Sequence, residues 1–86
     1  MAIVAGRVVD VHGAPVPSAR VMFVESPLPV PDIAALSGTD GRFVLDAPVP
    51  GRYVIQAVTD VHPPAHAEVD VGPDDQLVEV DVPLPE

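Results

Sequence analysis

Gly6-Arg-Val-Val-Asp10, His12-Gly-Ala-Pro-Val-Pro-Ser-Ala19 and Arg20-Val-Met-Phe-Val-Glu25 follow one another with only Val11 between them. A proline-rich insert separates them from Thr39-Asp-Gly-Arg-Phe-Val-Leu45, Pro48-Val-Pro-Gly51 and Arg52-Tyr-Val-Ile-Gln-Ala57. Short Val-rich runs cut at regular intervals by Gly, Pro and Asp are the pattern of strands joined by tight turns. A first strand is predicted over residues 2–9. Gly13 supplies a positive φ to the connection after it, and Pro15 and Pro17 halt the ladder. A second strand runs over 19–25, with Val21 and Phe23 on one face and Met22 and Val24 on the other. After the turn Thr39-Asp40-Gly41, Phe43 and Leu45 alternate with Arg42, Val44 and Asp46. Over residues 52–59, Tyr53, Ile55 and Ala57 alternate with Val54, Gln56 and Val58.

The C-terminal third repeats the alternation with charge. Ala67, Val69 and Val71 interleave with His66, Glu68 and Asp70; Val78, Val80 and Val82 interleave with Leu77, Glu79 and Asp81. Each run has one dry face and one charged face. Read as a hairpin closed by Gly72-Pro-Asp-Asp75, the register sets Glu68 opposite Glu79 and His66 opposite Asp81. Seven short strands without a regular helix predict an all-β, two-sheet β-sandwich.

The 86 residues suffice for a single domain, residues 1–86. With two Phe, one Tyr, no Trp and eighteen Val, the core is aliphatic. Twelve prolines spread along the chain oppose helices. The absence of cysteine removes disulfides and thiolate metal sites. Residues 1–7 lack a basic n-region and a long apolar h-region, so the expected localisation is cytoplasmic, with export as part of a larger particle as the other route. No apolar run approaches the ~18 residues of a membrane span.

The net charge of −9 is unevenly placed: residues 1–59 hold all four Arg, whereas residues 60–86 hold eight acids and no Arg or Lys. Such an acidic half repels phosphate backbones, which disfavours nucleic acid. The acidic strands read as a solubilising face; the alternative is that Glu68, Asp70, Glu79 and Asp81 meet a cationic protein surface.

The order of Gly6, Val8, Asp10, Gly13, Pro15, Val16, Pro17, Ala19, Val21, Thr39, Asp40, Gly41, Phe43, Pro50, Gly51 and Tyr53 resembles the carboxypeptidase regulatory-like domain. That resemblance covers nearly the whole chain and implies a transthyretin-like (prealbumin-like) sandwich. The matching residues are turns and core. The resemblance therefore implies a non-catalytic accessory or surface module, such as a small subunit or adaptor in a larger assembly. One version is a piece of a phage-tail-like or secretion-spike particle.

Catalysis is not expected. Hydroxyisourate hydrolases related to transthyretin use His and Arg around a shared channel and end in a Tyr-Arg-Gly-Ser type tail, whereas this chain ends Val82-Pro-Leu-Pro-Glu86. Ser18, Ser26 and Ser37 lie in loops with no Gly-x-Ser-x-Gly elbow. Without Lys and Asn, a Lys–Asn isopeptide bond is impossible. His62-Pro-Pro-Ala-His66 has the spacing of a helical metal pair, but its prolines forbid that helix. His62, His66, Asp74 and Asp75 are thus weak metal candidates, and no cofactor is expected. A carbohydrate-binding accessory role is weakened by the scarcity of aromatic platforms.

The insert over residues 26–37 is the segment the fold leaves unexplained. Pro27, Pro29 and Pro31 alternate with Leu28 and Val30 in a stiff extended run, and Asp32 is placed to cap one helical turn carrying Ile33, Ala34, Ala35 and Leu36. Two roles are open: the loop closes one end of the core, or Leu28, Val30, Ile33 and Leu36 dock a partner.

Overall fold

The computed structural model describes residues 2–29 and 34–85. It contains seven strands: β1 (Ala2–Val9), β2 (Arg20–Glu25), β3 (Ala35–Leu36), β4 (Arg42–Ala47), β5 (Gly51–Val58), β6 (Ala65–Val71) and β7 (Leu77–Pro83). They form a β-sandwich of a three-stranded sheet A, ordered β4-β1-β7, and a four-stranded sheet B, ordered β3-β2-β5-β6. Every pairing is antiparallel except β1 with β7, which is parallel.

The period-2 alternation turns one face of each strand inward; of the two faces predicted dry, Val69, Val71 and Val82 are buried and Val78 and Val80 partly so. Val4, Val8, Val21, Tyr53, Ile55, Ala57 and Val82 are fully buried, with Phe43, Leu45, Val69 and Val71 packed among them. The Tyr53 ring lies 4.6 Å from Phe23, tilted by 40°, a geometry that adds about 0.5–1.5 kcal/mol to burial. Its hydroxyl donates to the Val49 carbonyl at 2.6 Å, so the one buried phenol is satisfied. In β2, Val24 and Glu25 together stand against Val54, a bulge that ends regular pairing before the insert.

Two expectations are corrected. The first is the C-terminal hairpin: β6 edges sheet B and β7 edges sheet A, so they are not paired. Residues 72–76 carry the chain across the sandwich, with Asp75 Oδ2 accepting the Gly72 N–H at 2.7 Å. Alternation reports which face is dry but not which sheet a strand joins, because both sheets bury into the same core. Glu68 therefore faces Val54, His66 faces Gln56, Glu79 faces Ala5 and Asp81 faces Arg7. The second is the end of the expected helical turn of the insert, whose Asp32 and Ile33 lie outside the described residues. Ala35 and Leu36 instead pair with Val21 and Arg20 as a short edge strand, because Ser37 takes up β2's entry: it donates its N–H to the Ala19 carbonyl at 3.0 Å.

Candidate interaction surfaces

In β1 the residues Ala2, Val4 and Val8 turn into the core, so Ile3, Ala5 and Arg7 project from the outer face of sheet A. The registers on either side build a grid. Ile3 stands between Asp46 and Leu77, Ala5 between Val44 and Glu79, and Arg7 between Arg42 and Asp81. Ile3, Val44 and Leu77 are 43%, 56% and 57% exposed, large apolar side chains left on one face. The small Ala5 side chain at the centre floors a shallow hollow of about 330 Å³ walled by Arg7, Arg42, Val44, Glu79 and Asp81. Arg42 is held by Asp40 at 3.4 Å, and the Asp40 carboxylate also accepts the Arg42 N–H at 3.1 Å. The face thus combines exposed apolar side chains with charges of both signs, of which Arg42 is held in place by Asp40.

The four acidic candidates do not share a surface. Glu68 and Asp70 leave the outer face of sheet B, and Glu79 and Asp81 leave that of sheet A. Arg52 forms an ion pair with Glu68 and faces Asp70 across β5–β6. The hydrogen bond and charge of Glu68 hold the Arg52 guanidinium above its ordinary pKa.

Leu28 and Leu36 lie at opposite ends of β2. Leu28, 52% exposed, sits beside Val24, Gly51 and Arg52. Pro27 seats on Gly51, whose φ of 140° and lack of a side chain admit the ring: a Cβ there would lie 2.4 Å from Pro27 Cγ. Leu36, 66% exposed, pairs with Arg20 at the start of β2. Val30 and Ile33 lie outside the described residues.

His62 is half-buried and engaged by Thr59, whose Oγ1 accepts the His62 N–H at 2.9 Å and lies 3.2 Å from Nδ1. His66 is exposed on β6, and Asp74 and Asp75 occupy the 72–76 crossing, Asp75 turned onto Gly72. Among the described residues no three His, Asp or Glu side chains gather as a metal cluster. Ser37, one of the loop serines, is buried and structural. Its hydroxyl donates to the Val16 carbonyl at 2.7 Å and accepts the Ala19 N–H at 2.8 Å.

The apolar grid on sheet A was missed by sequence reasoning. The signal was present at single positions, since Val44 and Leu77 fall on the outward side of their alternating runs. That they converge depends on β1 lying between β4 and β7, a pairing between distant segments.

The family model for the carboxypeptidase regulatory-like domain matches residues 3–85. No curated protein matches the chain. Among solved structures it is similar to a DUF3823 family protein from Parabacteroides merdae, with TM-score 0.69 and 16% identity over 96% of this chain and 45% of that one. The present chain thus spans less than half of that protein. It is also similar to the C-terminal domain of the Caf1A usher, with TM-score 0.63 and 12% identity over 95% of this chain and 97% of that one. Conserved hydrophobic clusters on the surface of that domain are important for F1 antigen assembly. The C-terminal domain of the PapC usher aligns with TM-score 0.54 and 13% identity over 98% of this chain and 99% of that one. At these identities the likeness concerns the fold. No helix among the described residues is long and apolar enough to cross a membrane.

Proposed function

The chain belongs to the carboxypeptidase regulatory-like domain family, and from that premise we propose that it is a non-catalytic β-sandwich module that docks to a protein partner through the outer face of sheet A. The observation that carries this reading is the grouping of Ile3, Val44 and Leu77 around Ala5 on one sheet face. Exposed apolar residues scattered singly need no explanation, but a contiguous set rimmed by charge marks an interaction site. The surface hydrophobic clusters of the Caf1A usher domain, which matter for F1 antigen assembly, are a precedent on a similar fold. In this reading the domain is a subunit or adaptor of a larger assembly, and its fixed outer face presents the contacts.

The test is copurification. The chain is expressed with the proteins encoded beside it, once as wild type and once as V44D/L77D. The wild type retains a specific partner and the variant loses it. Both residues are exposed, so the melting temperature of the variant stays within about 4 °C of wild type. Retention of the partner by a folded V44D/L77D variant defeats the proposal.

A further inference from the structure

β7 is an open edge. Among the described residues it pairs with β1 alone, in a sheet of three strands packed against one of four. Two hydrogen bonds set the direction of its backbone groups: Ile3 N–H to Gln76 O at 2.9 Å, and Leu84 N–H to Val9 O at 2.8 Å. In a parallel ladder these turn the even-numbered residues of β7 toward β1. The N–H and C=O groups of Leu77, Glu79 and Asp81 therefore point away from the sheet. Pro83, next in that series, has no N–H, so the edge that can donate ends there.

The core side of the same strand supplies a second observation. Val82 and Leu84 are sealed at 0% and 2% exposure. Val78 and Val80 pack against the core but are only partly buried, as is Ala67 on the neighbouring edge strand β6. Phe23 and Ala35 are likewise partly buried, but on β7 the incomplete cover at Val78 and Val80 lies beside residues whose backbone is unpaired.

We propose that β7 accepts an added strand from a partner protein, an extended segment in which apolar and basic residues alternate. Its apolar side chains would complete the cover of Val78 and Val80, and its basic ones would meet Glu79 and Asp81 on the outer face. Charge selects this occupant, since residues 60–86 carry no Arg or Lys and the chain as a whole stands at −9. A second copy would bring the same acidic strand and the same net charge against this edge. The inference rests on the protein-docking reading; it shares Leu77, Glu79 and Asp81 with the outer face of sheet A, but it needs the unpaired backbone of β7 and does not need Val44.

The experiment follows backbone amide exchange by NMR on the 86-residue chain, with defined probes. An acetylated, amidated Val-Lys repeat of about eight residues spans the open edge. It is expected to slow exchange at Leu77, Glu79 and Asp81 by about tenfold or more, leaving the β1-bonded amides of Val78 and Val80 unchanged. A Val-Glu repeat, and a Val-Lys repeat N-methylated on the face that meets β7, give no slowing. E79Q/D81N weakens binding of the Val-Lys repeat about tenfold at low salt. V44D leaves that binding intact, so failure of the face and failure of the edge are separable. The proposal is overturned if the three amides are already slow in the free monomer, if self-association protects them, or if the Val-Lys repeat fails to bind or binds without slowing them.

Discussion

A Cβ placed on Gly6 would lie 1.5 Å from the carbonyl oxygen of Val80, its parallel partner across β1–β7. On the other side the Phe43 ring closes over the same glycine, 3.2 Å from that position. Gly6 therefore sits where β1 and β7 approach too closely for a side chain, and no rotamer change relieves a clash with backbone. Gly6→Ala is expected to cost about 2–4 kcal/mol through displacement of β7. Urea denaturation measures the loss, and amide exchange places it: the amides of Val78 and Val80 speed up before those of β5.

Ser37 carries a different kind of strain-free necessity. Its hydroxyl joins Val16 O and Ala19 N, and both bonds are buried. Ser37→Ala leaves a donor and an acceptor without partners and is expected to cost about 1–3 kcal/mol. Ser37→Thr, which keeps the hydroxyl, should recover part of that stability unless its methyl group finds no room. A stability equal to wild type in Ser37→Ala would show that water replaces both bonds.

The faces of the strands were legible in the sequence and their neighbours were not. Phe43, Leu45 and Val69 alternate with positions that carry Arg42, Asp46, Glu68 and Asp70, and burial follows that alternation; Val21, Tyr53 and Ile55 are buried too, although the opposite faces of their strands hold Met22, Val24, Val54 and Val58. Gly6 was legible as a motif position, but its reason, the proximity of Val80, requires knowing that the first and last strands pair. The same long-range pairing hid the sheet A face, and it overturned the hairpin, since Gly72-Pro-Asp-Asp75 closes a turn equally well within a sheet or between sheets. The short strand β3 has only Ala35 and Leu36 to declare it; tertiary pairing, not propensity, makes it a strand.

Asp10 folds back onto its own loop, accepting the N–H groups of Ala14 at 3.0 Å and His12 at 2.8 Å. Those bonds, Ala14 first, favour the carboxylate and hold its pKa below the usual aspartate value. A depressed pKa contributes stability that is present above the unfolded-state value and is lost as pH falls through the folded one. Titration of the Asp10 carboxyl carbon by NMR should show a midpoint below that of an unstructured aspartate. Asp10→Ala should narrow its stability gap to wild type as the solution is acidified into that window. A gap that widens with acid would contradict the assignment.

The division of the acidic residues between two faces yields a test by double-mutant cycles. In a hairpin Glu68 and Glu79 would oppose each other and couple unfavourably. In the sandwich they leave opposite outer faces, so their substitutions by Gln should add to within about 0.3–0.5 kcal/mol. Glu68 and Arg52 form an ion pair on sheet B, and the E68Q and R52Q cycle should show a favourable coupling. Both side chains are largely exposed, at 63% and 62%, so that coupling is small and shrinks as salt is raised. Coupling between Glu68 and Glu79 comparable in size to that between Glu68 and Arg52 would place β6 beside β7 in one sheet and contradict their separation between sheets A and B.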